Sequence, residues 1–114
     1  MRKIALAGTI LTLLAGPASA RDMQFWNQTL HEFSSVRLAP PGSDQWGAEQ
    51  TANDPDKAVS ADERLRITGV APGSYDVRLV DKNGRVCTVR GVAVKATGKV
   101  AFAIGEQQLT DCKP

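Results

Sequence analysis

Histidine, tyrosine and cysteine are scarce in this sequence: its 114 residues include one histidine, one tyrosine and two cysteines. Zinc sites draw several ligands from histidine and cysteine at defined spacing, so this scarcity argues against a zinc protein. Phosphate-binding loops need clustered glycines, whereas the glycines here fall singly at turns and strand ends. The sole histidine, His31, is expected in an exposed connecting turn, and no nucleophile-elbow serine supports a Ser-His-Asp triad. These absences predict a protein that is not an enzyme and holds no cofactor.

Copper handling is the metal function that stays open, because export compartments handle copper and soft ligands suit Cu(I). The available ligands are Met23, His31 and, if reduced, the two cysteines. The carboxylate pairs Asp54/Asp56 and Asp62/Glu63 lack the further oxygen ligands and the positioned glycine of a calcium loop, which predicts solvated turns. No metal ligand is therefore assigned.

Residues 1–20 have the pattern of a cleaved signal peptide. Arg2-Lys3 supplies positive charge, Ile4–Leu14 is apolar, and Ala18-Ser19-Ala20 supplies the small residues that signal peptidase accepts. The apolar run is shorter than the roughly 20 residues that span a membrane. No cysteine follows Ala20 to carry a lipid anchor, and the competing interpretation is a buried amino-terminal helix. We expect residues 21–114 to form a single periplasmic or secreted domain without a membrane anchor.

The charge balance changes once this segment is set aside. Of the 14 Lys and Arg residues, Arg2 and Lys3 lie in the segment, whereas all 12 Asp and Glu residues follow it. The remaining chain is therefore formally neutral. A neutral surface of mixed sign lacks the basic footprint that nucleic acid requires, so no nucleic-acid partner is expected.

The two cysteines, Cys87 and Cys112, are an even pair in a chain predicted to be exported. An oxidising compartment favours a disulfide between them, worth about 3 kcal/mol in the chain-entropy model. A thiol nucleophile or metal ligand is the alternative, with little support because no Cys-x-x-Cys spacing is present.

Alternating apolar residues and turn signals predict an all-β fold. Tyr75, Val77 and Leu79 alternate with charged residues after the turn signal Pro72-Gly73. Asn83-Gly84 then predicts a type I′ hairpin leading to a partner strand at Val86–Val89. The first strand, near Met23–Thr29, and the second, Ser34–Ala39, are expected to pair with each other, and Lys57–Glu63 is a candidate helical turn.

Roughly six or seven short strands, with turn signals about every 8–12 residues, predict a small antiparallel β-sandwich, Ig-like or prealbumin-like, with one disulfide. The predicted core comprises Phe25, Val36, Leu38, Leu65, Ile67, Val70, Tyr75, Val77, Leu79, Val86, Val89, Val94, Val100, Phe102 and Ile104.

Two further features carry alternative interpretations. Asn27-Gln28-Thr29 is a glycosylation sequon, which has meaning only in a eukaryotic secretory pathway. Trp46 lies in the loop Pro40–Gly47. Its ring is expected to cover one end of the sandwich, with Gly47 allowing close backbone approach. The alternative is a possible partner contact, since tryptophans are enriched among interface hot spots.

The segment Ile67–Val77 resembles the strand–Pro-Gly-x-Tyr–strand element of prealbumin-like and carboxypeptidase-regulatory-like sandwiches. A wider resemblance lies in Asn27-Gln28-Thr29, Trp46-Gly47 after Pro41-Gly42-Ser43, Tyr75–Arg78 and Asp81–Gly84. In these motifs the chain is similar to a family of small exported proteins of proteobacteria. The resemblance implies a periplasmic sandwich and transfers no catalytic residue. The chain departs from the pattern at Ala48–Glu63, where polar residues replace a leucine-rich approach to the third strand.

These observations predict an exported, non-catalytic binding or structural module that contacts a protein or envelope partner through loops or edge strands. Two alternatives stay open. One is a periplasmic copper-handling protein, and the other is a small secreted enzyme, whose site would be a deep polar pocket near His31.

Overall fold

A computed structural model describes residues 23–114, so the predicted signal peptide at residues 1–20 lies outside the described residues. The described chain forms seven strands and two short 3-10 turns. The strands are β1 (Gln24–Gln28), β2 (Phe33–Ala39), β3 (Arg64–Arg66), β4 (Gly73–Asp81), β5 (Val86–Val94), β6 (Val100–Gly105) and β7 (Cys112–Lys113); the 3-10 turns are Gln50–Asn53 and Glu106–Gln108.

The strands form two sheets, ordered β3-β1-β6 and β2-β4-β5-β7. The pairing of β1 with β6 is parallel, and the other strand pairings are antiparallel. The chain is therefore a small all-β sandwich, as its turn spacing and alternation predict.

The prediction that the first two strands pair with each other is wrong, because β1 and β2 lie in different sheets. The Asn27 side chain donates to His31 O at 2.8 Å, which fixes the connecting turn. The Asn27 backbone N–H donates to Glu63 O at 2.9 Å, so that edge of β1 already has a partner beside β3. The turn carries the chain across the sandwich instead of folding it back.

The core lies between the sheets and contains most of the predicted residues, including Phe25 and Phe102, whose rings stack with centroids 4.9 Å apart. Val70, Tyr75, Val86 and Val100 are half-buried, whereas Met23, Phe33, Val59 and Val92 are buried without having been predicted. Phe33 and Val59 exchange backbone hydrogen bonds of 2.9 Å, and this bridge carries Val59 into the core.

The β4–β5 hairpin forms at the predicted place with a different turn. Gly84 has φ +91°, but Asn83 is not among the residues with positive φ, so the turn is not type I′. Gly84 N–H donates to Asp81 O at 2.9 Å, and Asp81 N–H donates to Arg85 O at 3.0 Å. This geometry matches a type I turn followed by a left-handed glycine, the usual three-residue hairpin loop.

The polar segment 47–59 covers the outer edges of both β2 and β3, and we call this side of the sandwich the closed flank. On β2, Leu38 O accepts from Gly47 N–H at 2.9 Å, and Val36 N–H donates to Glu49 Oε2 at 2.6 Å. On the β3 side, Asn53 Nδ2 donates to Arg66 O at 2.8 Å.

The predicted helical turn at Lys57–Glu63 is wrong, since the 3-10 turn of this segment is Gln50–Asn53. Glu49 begins that turn by accepting the N–H of Thr51 at 3.3 Å. The same carboxylate also accepts the N–H of Val36 in β2. Because Glu49 is held against β2 while it caps the following residues, the 3-10 turn begins directly after it.

Candidate functional site

Cys87 and Cys112 form the predicted disulfide, with Cα atoms 4.0 Å apart. They are in register across β5 and β7, and Cys87 is buried. The bond ties the carboxyl-terminal tail to the first half of β5. Neither sulfur is a free thiol for catalysis or for binding a metal.

The remaining copper-ligand candidates do not come together. Met23 is buried in the core just before β1, while His31 follows the opposite end of that strand. Among residues 23–114, no group of three or more His, Cys, Asp or Glu side chains is arranged to hold a metal ion.

His31 belongs to a polar cluster at one end of the sandwich. Its Nε2 lies 3.0 Å from Glu106 Oε2 and 3.2 Å from Arg85 Nη2. Glu106 Oε1 also accepts the N–H of Leu30 at 2.9 Å. That backbone hydrogen bond is the main reason that the pKa of Glu106 lies below its ordinary value, with His31 and Arg85 acting in the same direction against burial.

An open polar cleft of about 360 Å³ lies beside His31. Burial raises the pKa of Asp81 in its wall, but the backbone N–H groups of Arg85 and Asn83 outweigh burial and hold that pKa low. The carboxylate stays ionised and fixes the hairpin loop. The lining residues are Leu30, His31, Glu32, Ser60, Ala61, Asp81, Lys82 and Asn83.

Asn27, the first residue of the sequon, is fully buried. Its Nδ2 donates to carbonyl oxygens of His31, Val59 and Ser60 at 2.8, 3.2 and 3.0 Å. Its Oδ1 accepts from Thr29 N–H at 3.0 Å and from Thr29 Oγ1 at 2.7 Å. The folded protein uses this motif as an internal brace and leaves the Asn27 amide inaccessible to a glycan.

Trp46 is half-buried in a loop held at both ends. On one side, the Asp76 carboxylate accepts from Gly42 N–H at 2.8 Å. On the other side, Gly47 pairs with Leu38 so closely that a Cβ on Gly47 would lie 3.2 Å from Leu38 O. The expected close backbone approach at Gly47 is therefore present. The partly buried side chains packed on the core are Val70, Tyr75, Leu109 and Cys112, and Trp46 is not among them.

The second tryptophan, Trp26, lies on the outer face of β1. Its Nε1 donates to Asp62 Oδ1 at 3.0 Å, and the Arg64 guanidinium lies 4.5 Å from the ring centroid. These contacts fix the orientation of the indole on a half-exposed surface.

The open flank is the side of the sandwich opposite the closed flank, where β5 and β6 diverge. The Asn27 N–H donates to Glu63 O, so the backbone N–H and C=O of Asn27 point toward β3. Those of its neighbour Trp26 therefore point toward β6. Trp26 lies opposite Ala103 in this parallel pair, so the Trp26 backbone forms hydrogen bonds with the residues on either side of Ala103. The N–H and C=O of Ala103 therefore point away from β1 into the open flank.

Two hydrogen bonds close the ends of this flank. Lys95 N–H donates to Ala101 O at 3.0 Å, and Gly105 N–H donates to Gln108 Oε1 at 2.8 Å. Because Lys95 faces the flank, Ala93, two residues earlier on β5, directs its backbone groups to the same side. Between these ends lies a cleft of about 380 Å³, lined by residues that include Ala93, Lys95, Phe102 and Ala103.

Charge is divided between the two flanks, although the chain after residue 20 is neutral overall. Residues 44–63, which contain the closed flank, include six acidic residues and one lysine. Residues 82–105, which contain β5 and β6, include five basic residues and no acidic residue. The expectation of a neutral surface of mixed sign did not include this division, and counting charge segment by segment would have found it.

Residues 23–114 include no helix that is long and apolar enough to cross a bilayer. No family model, curated protein or solved structure matches this chain.

Proposed function

We propose that residues 21–114 act as an exported, non-catalytic binding module of the periplasm or extracellular space, which contacts a protein or envelope partner through the open flank. One observation carries the proposal: within residues 23–114, β2, β3 and the first half of β5 have hydrogen-bonded neighbours on their outer sides, while Ala103 of β6 and Ala93 of β5 direct their backbone groups into the open flank. Segment 47–59 covers β2 and β3, and β7 covers the first half of β5.

Uncovered edges are templates for pairing with another chain, and proteins usually block them. Here a polar segment covers β2 and β3 and a disulfide-tied strand covers the first half of β5, so the uncovered stretch around Ala103 is a specific feature. The Trp46 loop is a second candidate contact, because a half-buried indole on a loop held at both ends loses little conformational freedom on binding.

Site-specific photo-crosslinking tests the proposed partner surface. The mature protein would carry p-benzoylphenylalanine at Ala93 in the open flank, at Trp46, or at Lys57 near the closed flank as the matched control. Each variant would be irradiated in an envelope extract. We expect a discrete adduct from position 93 and none from position 57. Equal labelling from positions 93 and 57, or no adduct from any position, would contradict the proposal.

Export is tested by the mass of the protein isolated from cells. Removal of residues 1–20 predicts an envelope-localised protein that begins at Arg21 or within a few residues of it. A cytosolic protein that retains Met1 would contradict this part of the proposal.

A secreted enzyme is the second candidate, favoured by the polar cleft beside His31. His31 Nε2 contacts both a carboxylate and a guanidinium, an arrangement that could move a proton. Turnover of a panel of chromogenic esters, phosphates and glycosides, abolished in His31→Gln, would support this candidate. Identical background rates for both proteins would count against it.

A further inference from the structure

The uncovered edge of β6 offers hydrogen-bonding groups that a single extended chain can satisfy. Ala103 presents one N–H and one C=O to the open flank, and Ala93 presents the same pair from β5. Backbone donors and acceptors that have no partner on a sheet edge are the groups that an added strand pairs with. The Lys95–Ala101 bond at one end and the Gly105–Gln108 bond at the other limit the free part of β6 to the stretch around Ala103, so an added strand would pair there over only a few residues.

The charge of the flank indicates the side chains of that segment. Lys95 lines the cleft and Lys99 immediately precedes β6. Neither lysine forms an ion pair within residues 23–114. Because residues 82–105 contain no acidic residue, the chain does not neutralise them locally in sequence. Acidic side chains on an incoming strand would meet these ammonium groups.

We infer, resting on the proposed function, that the partner presents an extended acidic segment that adds as a strand to the free edge of β6. Backbone hydrogen bonds to Ala103 supply the affinity, and Lys95 and Lys99 select for acidic side chains. Edge lysines also serve in many sheets to prevent strand pairing. The experiment therefore separates recruitment of an acidic strand from its exclusion.

The probe is a fluorescein-labelled peptide of about nine residues that alternates glutamate with threonine and valine, residues that favour strands. Binding to the mature protein is followed by fluorescence anisotropy at moderate salt. Two matched peptides serve as controls: one replaces every glutamate by lysine, and the other carries N-methyl groups on alternate amides. We expect the parent peptide to bind and both controls to lose binding. The lysine peptide repels Lys95 and Lys99, and the N-methylated peptide lacks the N–H groups that would form backbone hydrogen bonds with β6.

Protein variants locate the bound peptide. Ala103→Pro removes the donor at the edge, where proline is otherwise tolerated, and should weaken binding at least tenfold. Ala103→Ser keeps the N–H and should bind like the parent protein. The double change Lys95→Glu/Lys99→Glu should weaken binding about tenfold. Lys57→Glu makes the same kind of charge change near the closed flank and should leave binding unchanged.

Several results would overturn the inference. These are failure of the acidic peptide to bind, equal binding of the N-methylated peptide, or undiminished binding by Ala103→Pro protein with a parental circular dichroism spectrum. Self-association of the chain that Ala103→Pro abolishes would assign the edge to a second copy, and would also overturn it. If Ala103→Pro still forms the crosslinked adduct from position 93, strand addition fails while the binding module stands. If the parent protein forms no adduct and binds no peptide, both fail.

Discussion

Asn27 is a buried polar side chain that joins three separate segments of the described chain. Its amide connects the end of β1 with the turn at His31 and with the closed flank at Val59 and Ser60. A buried polar group that loses its hydrogen-bond partner carries a penalty of about 1–3 kcal/mol, and the Thr29 N–H would lose its acceptor Asn27 Oδ1. The crossing of the chain between sheets therefore depends strongly on one amide.

We expect Asn27→Ala to lower the free energy of unfolding by about 2 kcal/mol, because it removes a buried set of hydrogen bonds and takes the acceptor away from the Thr29 N–H. Asn83→Ala in the exposed hairpin loop is the matched control and should change it by less than about 0.5 kcal/mol. Urea denaturation of both variants measures the difference. A loss below about 1 kcal/mol for Asn27→Ala would show that Asn27 is not the brace described.

Asp76 gives the clearest pH dependence at the scale of a single residue. The N–H of Gly42 is the main cause that lowers the pKa of this buried carboxylate, and Arg90 and Gly91 act in the same direction against burial. The folded pKa thus lies below the unfolded value near 3.9. The resulting stabilisation is complete above about pH 4 and is lost as pH falls through the folded pKa.

Asp76→Asn should therefore unfold more easily at neutral pH and show a weaker loss of stability between neutral pH and pH 3. Exposed Asp56→Asn, the control, should keep the parental profile. Urea midpoints across this range provide the measurement. Parallel profiles for Asp76→Asn and the parent would contradict the account. Some acid sensitivity will persist in the variant, because the pKa values of Glu49, Asp81 and Glu106 are also lowered.

Residue-level roles were the hardest to predict from the sequence. The spacing of Asn27 and Thr29 fits a glycosylation sequon and also a local side-chain-to-backbone brace. What separates these roles is burial, which depends on Val59 and Ser60, more than 30 residues away in the chain. No local pattern carries that information.

Among the elements, β7 depends most on a covalent link, since it contains only two residues. Reduction of Cys87–Cys112 should lower the free energy of unfolding by about 3 kcal/mol and lower the melting temperature. The double variant Cys87→Ala/Cys112→Ala should match the reduced protein. Thiol titration without reductant should detect neither cysteine; finding both free in protein from its native compartment would rule out the bridge there.

Two roles are open for Trp46, and they predict different melting temperatures for Trp46→Ala. If the indole covers the sandwich end, as expected from the sequence, Trp46→Ala should cost roughly 3–5 kcal/mol, the range for large core truncations. If it is a partner contact, melting should stay near the parental value while the crosslinked adduct disappears. A Trp26→Phe background removes the second indole from fluorescence. Unchanged melting together with a quencher-accessible Trp46 would refute the covering role.

Element positions followed from local patterns, whereas their pairing did not. Alternation located β4 and the Asn83-Gly84 signal located its hairpin, because both depend on neighbours in sequence. The partner of β1 depended on contacts with β3 and with β6, which begins more than 70 residues later. The turn type depended on Asp81, whose Oδ1 accepts from Asn83 N–H at 2.9 Å and from Arg85 N–H at 3.0 Å.

For the whole molecule, strand spacing and the cysteine pair were sufficient to predict a sandwich with one disulfide. Net charge was not sufficient to describe its surface. Averaging over the chain cancels an acidic stretch at residues 44–63 against a basic stretch at 82–105. The fold then places the first stretch at the closed flank and the second around β5 and β6. A candidate interface therefore went unrecognised at the sequence level.

The unequal flanks also imply that the sandwich opens locally on one side: the two sheets separate at the open flank while the closed flank holds them together. At the closed flank, segment 47–59 joins both sheets through several hydrogen bonds. At the open flank, within the described chain, β5 and β6 are joined by the Lys95–Ala101 backbone hydrogen bond. Local opening follows the weakest cooperative unit. We expect the Lys95 amide to exchange with deuterium faster than the Val59 amide, as measured by NMR. Each local opening would briefly expose the stacked rings of Phe25 and Phe102 to water. A strand bound beside Ala103 would slow this opening.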